Sequence, residues 1–270
     1  MVDHGKLFSV EGKTALVTGG AKGLGRTCAE ALLSAGARVI IASRKGADCM
    51  TAAAELSEVG DCVGLAGDVG TEEGVADLAR AVGERFDHLD ILVNNAGLTW
   101  GAPLESFPWA AWNRVMNVNL FGAFELTKML LPLLRHSGSS ASPACVVNLG
   151  SVLGTLPLSD QAYSYAASKA ALHHLTRILA NELASDRILV NAIAPGPFAS
   201  RMTSFALADK KKSSAIASGV PLGRLGEADD LAGMILFLCS RAGAYVTGAV
   251  LPLDGGMTAQ TRAGLFSIDP

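Results

Sequence analysis

The sequence predicts an α/β protein: a doubly wound parallel sheet of about seven strands with helices on both faces. Three observations predict it. Short apolar, β-branched runs alternate with amphipathic stretches along the whole chain, the signature of repeated β-α units. A glycine-rich turn joins the first such run to the first helical stretch. No internal repeat or linker divides the chain, so residues 1–270 read as one domain.

In order, Lys13–Thr18 reads as a strand and Gly23–Ala35 as a helix. Ala37–Ala42 is the second strand, followed by an alanine-rich helix over Ala47–Val59. Cys62–Ala66 and Thr71–Phe86 form the third strand–helix pair, and Leu89–Asn94 the fourth strand. The second half repeats the pattern. Trp109–Leu134 predicts a long helix, bent or broken near Pro132 because proline has no amide donor. Ala144–Leu149 is a strand, Ala162–Ala184 a helix, Arg187–Ala194 a strand, Ala228–Cys239 a helix and Val250–Leu253 a short last strand. Ser137–Pro143 is a polar surface loop. Pro195–Gly219 breaks the rhythm, and a substrate lid is expected at about residues 195–220.

Composition excludes several function classes. Half the residues are hydrophobic and 17% are charged, against roughly 25% in an average soluble chain. A large core is expected, with further apolar surface between subunits. The 22 basic and 25 acidic side chains leave a net charge of −3, which draws the protein to neither nucleic acid nor an anionic membrane. The apolar run Leu231–Cys239 has nine residues, where a membrane span needs about 20. The first residues, MVDHGKLFSVEGK, contain no apolar h-region, so no signal peptide is expected and the protein reads as cytoplasmic. The five cysteines are odd in number and form no CxxC pair, which predicts buried, reduced thiols. His4, His88, His136, His173 and His174 fall in no ligand spacing, so no metal site is expected.

Thr18-Gly19-Gly20-Ala21-Lys22-Gly23-Leu24-Gly25 lies where the first strand meets the first helix. Three demands meet there: a tight turn, a backbone approaching a pyrophosphate, and a helix packed closely on the sheet. Glycine serves all three, and the helix N-terminus offers free N–H groups to an anion. The end of the second strand supplies the next clue. In Rossmann-type sites for NAD an acidic residue there takes the ribose 2′-OH. Here the residues are Ser43, Arg44 and Lys45. No carboxylate repels a phosphate, the Arg44 fork can clamp one, and Lys22 adds positive charge. A Rossmann-like site for NADP(H) is favoured, with NAD(H) as the alternative.

Tyr165 and Lys169 are four apart on a helix and share one face. A phenol holds its proton too tightly to act as a base at neutral pH. A nearby ammonium favours the phenolate, so the pair can donate a proton in reduction and accept one in oxidation. Tyr163 has no such partner, because Ala167 stands four residues on. His173 and His174, further along the same helix, read as packing or surface residues.

Taken together these motifs resemble the short-chain dehydrogenase/reductase family. The glycine spacing is TGxxxGxG, Asp68-Val69 follows the third strand, and Asn94-Asn95-Ala96-Gly97 closes the fourth. Asn119 lies in NVNLFG, Ser151 ends the fifth strand, and Tyr165-Ala-Ala-Ser-Lys169 matches YxxxK. Pro195-Gly196 follows the sixth strand and Asp254-Gly255-Gly256 the last. The likeness runs from Gly12 to about Met257. It implies that Asp68 and Val69 hold the adenine, and that Asn95 and Gly97, with Ala96 between them, line its ribose side. Pro195, Gly196 and Phe198 should meet the nicotinamide, and Ser200 its carboxamide. Lys169 should also bind the nicotinamide ribose. Ser151 should hydrogen-bond the substrate oxygen, and Asn119, rather than Asn117, should hold a water linking Lys169 to solvent. One departure is that Ser151 and Tyr165 are 14 apart, one more than the usual spacing, in a loop that borders the substrate pocket.

Within that family the chain is most similar to bacterial 3-oxoacyl-acyl carrier protein reductases, including the rhamnolipid-pathway type. The likeness lies in Asn191–Thr203, in Ala242–Gly256 and in the run from Gln161. It implies reduction of a small carbonyl substrate, an acyl-CoA or acyl carrier protein thioester. Steroids, cyclic ketones, sugars and polyols are alternatives, and a non-catalytic cofactor sensor a remote one. Phe198, Met202, Phe205 and Leu207 would give the lid an apolar inner face. Arg201 and Lys210-Lys211-Lys212 would meet a phosphopantetheine or an acidic carrier, or simply form a solvated basic helix end. The long helices carry apolar residues on more than one face, and the resemblance implies their pairing across a two-fold axis into a homotetramer.

Overall fold

Alternation along seven strands builds two cores, one on each face of a single sheet. The computed structural model describes residues 4–139, 142–157, 161–198 and 210–259. The strands are β1 (Thr14–Thr18), β2 (Arg38–Ser43), β3 (Cys62–Ala66), β4 (Ile91–Asn94), β5 (Ala144–Leu149), β6 (Ile188–Pro195) and β7 (Val250–Leu253). Every pair is parallel and the order is β3-β2-β1-β4-β5-β6-β7. The described helices are a single turn, α1 (His4–Leu7), then α2 (Gly23–Ser34), α3 (Gly46–Leu56), α4 (Glu72–Gly83), α5 (Trp109–Met116) and α6 (Gly122–Ser137). They are followed by α7 (Tyr163–Leu183), α8 (Lys210–Ser218) and α9 (Ala228–Cys239).

Successive strand residues face opposite ways. Val17, Ile41, Val93 and Val147 pack with Leu32 of α2, Leu56 of α3 and Leu231 and Ile235 of α9. Leu16, Ile40, Leu92 and Val146 pack on the other face with Leu78 of α4, Leu126 and Leu130 of α6 and Leu179 of α7. Each such side chain contributes about 1.5–3 kcal/mol when taken fully from water. Because β1 lies between β2 and β4, the two halves of the sheet part beyond the carboxyl end of β1. That divergence opens the crevice in which such sheets bind ligands.

The helix expected over Trp109–Leu134 is not broken at Pro132. It continues through that proline to Ser137, held by Leu126, Leu130 and Leu134, all buried on one stripe. The irregularity lies earlier, at Asn117–Phe121, where the N–H of Gly122 donates to the Asn117 carbonyl five residues back. Such a π turn inserts one residue into the helical ladder and is frequent at functional sites. It leaves Asn117 exposed and turns Asn119 inward.

Candidate active site

The glycine loop leaves the first turn of α2 without a side-chain cap and without an acidic residue. By contrast, α4 is capped in the ordinary way: Thr71 Oγ1 accepts from the Gly74 N–H, and Glu72 and Glu73 complement the helix dipole. The difference leaves α2 with uncompensated N–H groups and positive partial charge, which suits an anion. Gly25 is required by space, because a Cβ there would lie 2.4 Å from the Gly19 carbonyl oxygen. Gly23 is required by its backbone at φ +57°, and a Cβ there would meet nothing within 4 Å, so it faces open space. Leu24 packs partly into the core beneath the loop.

The loop opens into a cleft of about 480 Å³ lined by Gly19, Lys22, Ser43, Arg44, Lys45, Asp68, Val69, Ala96 and Gly97. These nine were all expected at a cofactor. Ser43 Oγ donates to the Lys45 carbonyl, which shapes the turn after β2. Lys45 reaches Asp48 at 4.0 Å, whereas Arg44 and Lys22 pair with no acid among the described residues. Two unpaired cations beside an uncapped helix fit a dinucleotide carrying a 2′-phosphate. Asp68 Oδ1 accepts from the Gly70 N–H, which holds the carboxylate at the cleft wall.

Asn95 does something the sequence did not suggest. Its Nδ2 donates to the carbonyls of Thr18 and Gly19, while Thr18 Oγ1 accepts from the N–H groups of Asn95 and Ala96. The side chain ties β4 to the glycine loop across the switch point, behind the cleft. Thr18 and Arg26 were not singled out from sequence. Arg26 lines the cleft and is held by Glu30 at 2.9 Å and Glu55 at 2.5 Å. Thr18, directly before the glycines, was the legible one of the two.

Ser151, Tyr165, Lys169 and Asn119 come together at the same sheet end. Ser151 Oγ accepts from the Leu153 N–H, capping a short 3₁₀ turn over Val152–Gly154, and the same hydroxyl acts on the Tyr165 phenol, pulling it down. Lys169 is buried. Its Nζ donates to the Leu149 carbonyl at 2.5 Å and stands 5.6 Å from the centre of the Tyr165 ring. A Cβ on Gly97 would lie 3.5 Å from Asn119 Oδ1 and 3.7 Å from Lys169 Nζ, so the end of the cleft reaches this group. Asn119 donates to the Leu98 carbonyl and to Ser168 Oγ, and accepts from the Leu98 N–H. Ser168 in turn donates to the Tyr165 carbonyl. The side-chain amide is spent on positioning α7 against the loop after β4.

Electrostatics here differ from the expectation. Burial raises the Tyr165 phenol above its ordinary value, and only the Ser151 hydroxyl pulls it back. Burial also pushes Lys169 down to about 8. The phenol therefore keeps its proton at neutral pH, the state needed to donate it.

Phe198 pairs with Gly226 in an isolated bridge, and its ring is buried in the core, where a Cβ on Gly226 would strike it at 2.6 Å. Pro195 ends β6 and Gly196 donates to the Leu253 carbonyl, both beside the end of β7. Ser200, Arg201, Met202, Phe205 and Leu207 lie outside the described residues, as do the side chains of Lys210, Lys211 and Lys212. Tyr163 packs edge-on against Phe107 at 5.2 Å, away from any lysine pairing.

A proton-bearing phenol beside a cleft built for a dinucleotide can deliver a proton where a hydride arrives, and this combination defines a class of oxidoreductase. The chain belongs to the short-chain dehydrogenase/reductase family: a family model described as enoyl-(acyl carrier protein) reductase matches residues 19–258. It is 48% identical over 249 residues to the rhamnolipids biosynthesis 3-oxoacyl-[acyl-carrier-protein] reductase of Pseudomonas aeruginosa, covering 92% of this chain and 97% of that one. It is 36% identical to the 3-oxoacyl-[acyl-carrier-protein] reductase FabG of Vibrio cholerae, covering 93% and 99%. The solved Pseudomonas aeruginosa RhlG/NADP active-site complex superposes with a TM-score of 0.92 at 47% identity, over 94% of this chain and 99% of that one.

Proposed function

We propose that the protein is an NADPH-dependent reductase of 3-oxoacyl thioesters, acting in the cytoplasm as a homotetramer. The observation that carries the substrate class is the 48% identity to a 3-oxoacyl-acyl carrier protein reductase across nearly its full length. A second feature agrees with a greasy substrate. Trp100 and Leu104 are exposed, 40% and 67%, on the segment after β4, and Ala102 of that segment donates to the Gln161 carbonyl beside the catalytic helix. An acyl chain would cover these side chains, whereas a sugar would not. The outward faces of α6 and α7 expose Phe124, Met129 and Ile178, which supports pairing of these helices. A single-chain mass by light scattering at micromolar concentration would remove the tetramer.

When bound, the reduced dinucleotide supplies the hydride that reaches the carbonyl carbon. Ser151 holds the carbonyl oxygen and orients it. Tyr165 donates its phenolic proton to that oxygen, so the C=O becomes CH–OH. Lys169 supplies the positive charge that steadies the resulting phenolate. The test is acetoacetyl-CoA with NADPH, measured beside a steroid, a cyclic ketone and a sugar. Turnover of the thioester well above the others is expected. Turnover at background, with one of the others reduced efficiently, would reassign the substrate.

Arg44 and Lys22 also make the cofactor preference testable. Arg44→Ala should raise the KM for NADPH by about 10- to 100-fold, since a hydrogen bond to a charged group contributes about 1.5–3 kcal/mol. The KM for NADH should hardly move, because NADH has no 2′-phosphate. A wild-type enzyme that prefers NADH would refute the assignment of Arg44.

A further inference from the structure

His173 was expected to be a packing residue, and it is buried. Its position is more specific than packing requires. Its Nε2 accepts from the Ser151 N–H at 3.4 Å. The five residues from Gly150 to Gly154 wrap around the imidazole: a Cβ on Gly150 would lie 2.2 Å from Nε2, and a Cβ on Gly154 2.7 Å from Cε1. Both glycines are therefore demanded by the ring, and the residue between them that faces the substrate is Ser151. Burial, aided by the charges of Lys169 and Arg177, holds the imidazole down to about 4. At neutral pH the ring is uncharged and Nε2 has the lone pair it needs to accept.

The carbonyl of Ser151 accepts from the Gly154 N–H, closing the turn, and its other contacts set the side chain. The main-chain N–H is pinned by His173, the hydroxyl accepts from the Leu153 N–H, and the same hydroxyl reaches Tyr165. We propose that His173 is a positioning residue of the reductase: one α-helical turn beyond Lys169, it holds the Ser151 loop at the height that places the serine hydroxyl against the substrate carbonyl and Tyr165. The proposal rests on the reading of Ser151 as the group that orients substrate. Both helix and loop matter, since His173 and Tyr165 ride on the same α7. Any shift of Ser151 is a shift relative to the phenol.

The experiment is a double-mutant cycle in kcat with acetoacetyl-CoA and NADPH, together with NADPH binding by fluorescence titration. His173→Leu keeps the apolar bulk and removes the acceptor. It should lower kcat about tenfold or more, as a small misplacement of a reacting group does, with the NADPH Kd within twofold of wild type. His173→Gln, which restores an acceptor, should recover most of the loss. In a Ser151→Ala background, His173→Leu should cause little further loss, because its effect passes through the serine. Losses that simply multiply, or a glutamine variant as impaired as leucine, would overturn the proposal. If His173→Leu does not fold, His173→Asn, too short to reach the Ser151 N–H, takes its place: a kcat loss that largely disappears in the Ser151→Ala background supports the proposal, and no loss, or one that multiplies with that of Ser151→Ala, overturns it. Near-normal activity of Ser151→Ala itself would instead overturn the reading of Ser151, a separate failure.

Discussion

Tyr165→Phe should lower kcat about a thousandfold while leaving the NADPH Kd almost unchanged. The substitution deletes one oxygen and keeps the ring, so its packing on α7 and its approach to Lys169 are retained. What disappears is the transferable proton. General acid catalysis by a positioned group typically contributes about 10²–10⁴, and burial has already placed this phenol in its protonated form at neutral pH. Ser151 keeps its bond from the Leu153 N–H, so the loop should not collapse when its tyrosine partner is lost. Steady-state turnover with acetoacetyl-CoA, set beside cofactor titration, separates the two effects. Turnover within a few-fold of wild type would mean that another group supplies the proton.

Lys169→Met should cost activity and alter the pH dependence of stability in a defined direction. Loss of the ammonium removes the charge that steadies the phenolate, and kcat should fall by on the order of 100-fold or more. The stability effect follows from linkage. Burial pushes Lys169 from 10.5 down to about 8 in the folded protein, while in the unfolded chain it keeps its ordinary value. Between those values the unfolded state binds more protons, so stability rises with pH across that window. Below pH 8 the penalty of the buried charge is present in full; above about 10.5 it is gone. The span is about 3 kcal/mol. Wild type should therefore gain on the methionine variant as pH is raised from 8 to 10.5, in urea unfolding followed at several pH values. Taking the difference cancels the other tyrosines, lysines and cysteines. Parallel curves for the two proteins would show that Lys169 is not desolvated as its burial implies.

The fold was legible because it depends on local periodicity. Each of the seven strands was found within three residues of its ends, since a parallel strand buried on both faces reads as a continuous apolar run whatever surrounds it. The phosphate-binding end was legible because its glycines stand at a fixed spacing on one turn, although the atoms that crowd Gly19 and Gly20, from Asn95 and Ile41, lie far along the chain. Tyr165 and Lys169 were legible because a helix places residues four apart on one face. The irregularity of the 109–137 helix was misplaced. A proline is visible in sequence, but the close seat of Gly122 against the Val69 carbonyl is not; a Cβ there would come within 2.0 Å of that oxygen.

By itself, then, the sequence determined the parallel sheet, the glycine-loop cleft and the pairing of Tyr165 with Lys169 on one helix face, because these rest on spacing along one element or one turn. Tertiary structure alone decided how those side chains are held and charged. It buried Tyr165, which keeps the phenol protonated, and turned the Lys169 ammonium to the Leu149 carbonyl. It spent the Asn119 amide on Leu98 and Ser168, set Asn95 to clasp the glycine loop, drew the Phe198 ring into the core, and brought His173 against the backbone of Ser151, 22 residues away in sequence. Burial and hydrogen-bond partners come from segments distant in the chain. Desolvation and orientation are properties of that assembly, which no residue carries in its own neighbourhood.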